Sequence, residues 1–290
     1  ARLNLMPYDG NPEIKESNGS KYLYMRKRVA GKLTSTYVDV YSDELYQLLL
    51  RNAKERKDLN QAIRKINKDL AALGYEDKEL SARVLQNLDF ARANLKANIY
   101  DQAVLEGVAT TFPQTEDIIE NGQVHGVSAT DVQKILNLKH AWEFILDRDV
   151  IQSESNYHML CHIAKLVNEG FFYDGGGIPV QIGGTSYVPP LPIETVVIER
   201  IDEIRSQDKE PIEIAIELCM YCMKTQVFKD GNKRASVIFA NHYLIAHGMG
   251  FLVIPEKDVP EFKKLLVQYY EGEPLEVIGA FLKERCWKNF

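Results

Sequence analysis

The sequence predicts a mostly α-helical protein with two short β-hairpins. Three observations carry that prediction. Apolar residues recur at helical spacing through most of the 290 residues. Ser, Asp, Pro and Gly fall where helices should start and stop. Strand-like runs around glycine turns occur in two stretches, between Tyr22 and Val40 and between Val180 and Val188.

In chain order, the first twenty residues are polar and aperiodic and predict a surface segment. Tyr22 to Arg28 and Ser35 to Val40 are rich in strand formers and flank Gly31-Lys32, which predicts a hairpin. Ser42-Asp43-Glu44 opens a long charged helix that Gly74 closes. A second long helix is expected from Asp77 to about Glu106, because Leu80, Val84, Leu88, Ala91, Leu95 and Ile99 fall on one stripe. Ser128 to Asp131 caps the next helix, and Ser153 to Asn168 forms another. Val180-Gln181-Ile182 and Thr185 to Val188 alternate around Gly183-Gly184, a two-residue hairpin. Helices then follow at 193–205, 211–225 (Pro211 in the first turn), 235–246, 259–270 and 275–286.

Composition narrows the function. The net charge of −6 argues against a nucleic-acid partner, which usually meets a basic face. No apolar run is long enough to span a membrane. Four cysteines, a Cys219-x-x-Cys222 inside an apolar helix and no visible leader predict buried free thiols and a cytoplasmic protein. His158 and His162 share a helix face, but no Glu accompanies them in the zinc-protease pattern, so a structural role is expected. His242 and His247 lie on the helix after residue 232 and are read the same way.

The segment Asp230-Gly231-Asn232-Lys233-Arg234 stands out on its chemistry. It joins two apolar helices, and the second starts at about Asn232. A Gly at a helix start lets backbone N–H groups converge on an anion. Lys233 and Arg234 oppose the dipole there, a conflict that a bound polyphosphate would relieve, with Asp230 a candidate to hold a magnesium between phosphates. The plainer reading is an Asp-Gly turn that caps a helix and precedes two solvated bases. These residues alone leave both readings open.

Gln226-x-Phe228-x-Asp230-Gly231-Asn232-Lys233-Arg234 resembles the signature loop of the Fic/Doc (Fido) family, His-x-Phe-x-Asp/Glu-Gly-Asn-Gly/Lys-Arg, at every position but the first. The Lys after Asn is similar to the Doc branch. Val180-Gln181-Ile182-Gly183 resembles the family's flap, which aligns the target segment. Leu105-Glu106-Gly107-Val108 resembles the motif of an N-terminal inhibitory helix. The resemblance runs from about Asn98 to the C-terminus. It implies an N-terminal extension over 1–97, a Fic-fold helical bundle over 98–290 with a short hairpin flap, and an inhibitory helix near 98–107. It also implies a bacterial origin.

By position, the resemblance implies that Phe228 anchors the loop and Asp230 holds Mg2+. Gly231, Asn232 and Lys233 would form the nucleotide's phosphate nest, Arg234 would contact phosphate, and Glu106 would obstruct productive binding. The reaction it implies is transfer of AMP from ATP to a protein hydroxyl, or a phosphoryl transfer of the Doc kind.

Three departures matter. Gln226 stands where the family has its catalytic His, and an amide cannot take a proton at neutral pH. General-base catalysis supplies roughly 10²–10⁴-fold, so the usual activity should be weak. Val237 replaces a second Arg that pairs with the inhibitory Glu, which leaves Arg234 or Lys233 as partners for Glu106. Gln102 replaces the hydroxyl residue that begins the inhibitory motif. The expectations are therefore a transferase, or an inactive nucleotide-binding regulatory module. A weaker third is a structural or regulatory role for the N-terminal piece, in self-association or in DNA contact, the latter disfavoured by the acidic balance.

Overall fold

The computed structural model describes residues 8–17, 19–29, 32–72, 80–122, 124–171 and 185–289. They divide into two compact units, Ala1–Lys78 and Glu79–Phe290.

The N-terminal unit holds three antiparallel strands in the order β1 (Asn11–Ser17), β2 (Ser20–Val29) and β3 (Lys32–Val40), then the helix α1 (Asp43–Ala72). The expected β2–β3 hairpin and long helix are present. β1 is an addition: Ser17 pairs with Ser20 across a tight turn in which Gly19 has φ +76°. Its exposed residues carry no apolar alternation, so pattern reading passes over it. Leu23 and Met25 point to one side of the sheet and pack with Leu49 of α1 as a small buried core.

The second unit is a helical bundle. The helix expected over 77–106 is two helices, α2 (Ala82–Ala93) and α3 (Leu95–Leu105). Asn94 breaks it, because its side chain donates to the Phe90 carbonyl at 2.9 Å, and its own N–H is shared between Phe90 and Ala91. α4 (Phe112–Asn121) was not anticipated, although Thr111 and Gln114 form a capping box at its start. Next come α5 (Ala129–Ile145), capped by Ser128 as expected, and α6 (Tyr157–Val167). Residues 172–184, which include the expected hairpin residues Val180, Gln181, Ile182 and Gly183, lie outside the described residues.

α7 (Glu194–Arg205), α8 (Pro211–Thr225), α9 (Asn232–Ala246) and α10 (Val259–Tyr270) match their expected spans closely. α11 (Leu275–Phe281) continues as a π-turn over Leu282–Cys286. A two-stranded pairing of β4 (Phe251–Leu252) with β5 (Trp287–Lys288) closes the chain.

α9 is the axis of the bundle. Its residues are buried from Arg234 through Ile245, and it packs against α8, α6 and α5. Trp142, Phe239, Phe251 and Phe262 fill the surrounding core without solvent exposure. A helix buried on all sides cannot drift, so its N-terminus is a fixed point in the fold. Among the described residues no helix is long and apolar enough to cross a membrane.

Candidate active site

The site grows from the junction of α8 and α9. α8 ends in Gln226, whose backbone is left-handed at φ 50° and ψ 57°; it is the one non-glycine with positive φ among the described residues. Such a conformation costs roughly 1–2 kcal/mol for a side chain with a Cβ. Local hydrogen bonds offset it. Gln226 Nε2 donates to the Met223 carbonyl at 2.6 Å, and Gln226 Oε1 accepts from Asn232 Nδ2 at 2.9 Å. Asn232 also donates to the Phe228 carbonyl at 2.6 Å and accepts from the Phe228 N–H at 2.9 Å. The loop is thus laced across its mouth, while Phe228 leans on the core.

Gly231 follows at φ +74° and caps α9 without any side-chain bond to the first-turn N–H groups. A Cβ here would meet the Asn168 amide at 2.7 Å, so both the backbone angle and the space require glycine. Asn168 closes α6 and buttresses the loop from behind. Its Nδ2 donates to the Asp230 carbonyl at 3.0 Å, and its Oδ1 accepts from Arg234 Nη2 at 3.2 Å.

Arg234 is a buried strut, with only 3% of its side chain exposed. Nη1 donates to the Val167 carbonyl at 2.7 Å, and Nη2 reaches Asp230 Oδ2 at 3.0 Å. Nε has no hydrogen-bond partner. It faces Glu106 Oε2 at 3.7 Å, and Lys233 Nζ lies 3.7 Å from Glu106 Oε1. Those ion pairs are too long for hydrogen bonds, and Glu106 Oε1 is also buried without one. Each such group costs roughly 1–3 kcal/mol. Gln102 fastens α3 to this point, with Nε2 donating to the Arg234 carbonyl and Oε1 accepting from Trp142 Nε1, both at 2.9 Å. Val237 is buried in the core.

The residues singled out in the sequence thus converge: Gln226, Asp230, Gly231, Asn232, Lys233, Arg234 and Glu106 lie around one helix start. Arg234 points inward, and Lys233 is the base of the pair that reaches the surface. Asn168 was not foreseen, because a lone Asn at a helix end reads as an ordinary cap. Tyr187 stacks on Tyr270 with centroids 6.0 Å apart. Lys224 lies over the Tyr269 and Tyr187 rings and donates to the Tyr269 carbonyl at 2.7 Å. Burial lowers its pKa.

The histidines take the structural roles expected of them. His162 stacks on Phe144. His242 is buried between the Ser155 hydroxyl and the Val150 carbonyl, and desolvation lowers its pKa to about 4. Cys219, Cys222 and Cys286 are buried free thiols.

A magnesium fits this loop in one mode. Asp230 presents a half-exposed carboxylate, a hard oxygen donor. Among the described residues no group of three or more His, Cys, Asp or Glu could hold a metal. That donor set suits an ion shared between one carboxylate and a ligand's phosphates.

A glycine-led helix start without a side-chain cap, fixed on a buried central helix, has the geometry of an anion site. Residues 154–244 match the Fic/DOC family model, and residues 2–47 match a domain of unknown function, DUF6788. Protein adenylyltransferase Fic of Drosophila willistoni is 25% identical over 242 residues, covering 77% of this chain and 47% of that protein. The chain therefore spans about half the length of the curated relative it matches.

Among solved structures, a Fic domain containing signaling protein from Bacteroides thetaiotaomicron shares the fold. It is 17% identical, with a TM-score of 0.56, over 76% of this chain and 90% of that one. Fic-1 of C. elegans (aa134–508) does so at 18% identity and a TM-score of 0.53, over 83% of this chain and 75% of that one. The chain has a mostly α Fic fold, and its residues 154–244 resemble the Fic/DOC family.

Proposed function

We propose that this protein binds ATP with its phosphates at the start of α9 and transfers AMP to a protein hydroxyl, slowly in its present form. The observation that supports this most is the uncapped first turn of α9 behind left-handed Gly231, flanked by Lys233 and by the unpartnered Arg234 Nε. Backbone N–H groups there would bind the phosphates, and the helix dipole adds to their charge. Asp230 would hold a magnesium, which when bound neutralises phosphate charge.

In the transfer, the target oxygen bonds to the α-phosphorus and the bond to pyrophosphate breaks. The hydroxyl proton has no base in the loop: Gln226 is an amide, already bonded at both ends. The proton therefore leaves to water or to the departing pyrophosphate. Glu106, drawn to Lys233 and Arg234, competes for the charge that the phosphates need, so it would act as a brake. The segment 180–183 would align the target.

A second reading, a nucleotide-binding regulatory module without transfer, draws on the same locked amide of Gln226. A Doc-like phosphoryl transfer is the third outcome. ATP labelled at the α or the γ phosphate separates them. α-label on protein in the Glu106→Gly variant supports AMP transfer, and γ-label supports phosphoryl transfer. Binding without either label, even in Glu106→Gly with Gln226→His, supports the regulatory module.

A further inference from the structure

The acidity of the whole chain is unevenly divided. Residues 1–78 carry 15 Lys and Arg against 11 Asp and Glu, a net +4, while residues 79–290 carry 20 against 30, a net −10. The general argument against a nucleic-acid partner therefore does not hold for the N-terminal unit, and such asymmetry is itself a mark of a charged partner.

Three of the basic residues, Lys15, Arg26 and Arg28, are set among aromatic ones on one surface. Strand alternation puts Leu23 and Met25 on the face that packs on α1, so Tyr22, Tyr24, Arg26 and Arg28 of β2 point the other way. Cross-strand pairing adds Tyr37 beside Tyr24 and Lys15 beside Tyr22. Tyr37 meets Tyr24 at 5.6 Å and Tyr22 at 6.3 Å, and Lys15 Nζ sits 4.5 Å from the Tyr24 ring centroid.

The outer face of a small antiparallel sheet is ordinarily polar. Here Tyr37 is 50% exposed, Leu33 opposite Arg28 is 52% exposed and Val40 opposite Tyr22 is 56% exposed. The acidic groups nearby are Asp39, close to Tyr37, and Glu13, which pairs with Arg26 at 3.4 Å and with Lys15 at 3.9 Å and accepts from Ser35 at 3.3 Å. The Arg26 pair is solvent-exposed and of the kind worth at most about 1 kcal/mol, so a phosphate can replace it.

We propose that this sheet face binds single-stranded nucleic acid, with unpaired bases stacking on Tyr37 and Tyr24 and phosphates meeting Lys15, Arg26 and Arg28. Rings standing on a flat sheet offer their surfaces to splayed bases, which a duplex keeps stacked on one another. Arg and Lys around them supply the salt-dependent part of the affinity. The proposal is independent of the nucleotide site on α9.

Fluorescence anisotropy of the full chain with a labelled mixed-sequence 20-nucleotide single strand, and with the matching duplex, tests it at low salt. The expected result is binding of the single strand in preference to the duplex, weakening as salt rises and unchanged by saturating ATP. Tyr37→Ala should lower the affinity roughly tenfold, by loss of one stacking surface. Arg28→Glu, at the far end of the face, should weaken it and steepen no other property, with the melting temperature of both variants near that of the parent. Absence of binding at tens of micromolar protein, a preference for the duplex, or unaltered affinity in both variants would overturn the proposal. So would complete competition by ATP, which would place the oligonucleotide on α9 instead.

Discussion

Glu217 and Glu106 are carboxylates of nearly equal burial, with side chains 11% and 13% exposed, yet their surroundings differ in kind. Glu217 on α8 receives Arg200 Nη2 at 3.0 Å, Gln207 Nε2 at 3.1 Å and Lys209 Nζ at 2.9 Å. Its lone pairs are used, and the cluster ties α7 and the turn after it to α8. Glu106 faces Lys233 and Arg234 at 3.7 Å from each, and one of its oxygens has no hydrogen bond. Fully satisfied buried charge belongs to architecture, while half-satisfied charge beside a helix start is the arrangement that the proposed phosphate site calls for. Burial alone would rank the two alike. Distance and satisfaction separate them.

The largest effect that can sharpen this contrast is catalytic. Gln226→His in the Glu106→Gly background should raise AMP transfer from α-labelled ATP by about 10²-fold or more, with a rate that climbs as the imidazole loses its proton near neutrality. His is also among the residues that tolerate left-handed backbone best. An unchanged rate would mean that the missing base is not what limits the site.

Next is a stability effect with a definite pH sign. His242 stays neutral in the fold because its pKa is lowered to about 4, whereas the unfolded chain takes up that proton near 6.5. Below the unfolded value the unfolded state binds more protons, so stability falls as pH drops from about 6.5 to about 4 and then levels for this group. The loss is on the order of 3 kcal/mol across that window. Urea denaturation at pH 7 and pH 4.5 should show it, and His242→Asn should remove most of the difference.

Gly231→Ala should cost about 2 kcal/mol or more, from the φ of +74° and the clash with Asn168, and should abolish ATP binding in the same variant. Thermal melts and calorimetry report the two losses separately. The smallest effects complete the comparison. Glu217→Ala should cost about 1–3 kcal/mol, because it removes the three hydrogen bonds that tie α7 and the turn after it to α8. Glu106→Gln, losing only the long pairs, should change stability less. Equal losses at the two positions would erase the distinction between them.

Much of this was legible in the sequence where local chemistry dictates structure. Pro211, Ser128 and Gly248 delimit helices by capping and backbone freedom, and α8 and α10 fall where their apolar periods place them. The loop from Gln226 to Arg234 was legible through its resemblance to a family signature, since Gly at a helix start followed by two bases fits a plain cap as well as an anion site. Other determinants were not legible. Asn94 breaks a continuous apolar stripe through its own side chain, and β1 pairs without any apolar alternation. Asn168 reaches the loop from a helix more than fifty residues upstream, and Arg234 turns inward because Val167, Asn168 and Asp230 together absorb its donors.

Calorimetric titration of ATP with magnesium into the parent chain and into Glu106→Gly tests the central claim most directly. The claim predicts that the variant binds with an affinity at least roughly tenfold above the parent, because removing Glu106 frees Lys233 and Arg234 for the phosphates. Equal affinities, or no heat of binding in either protein, would contradict it.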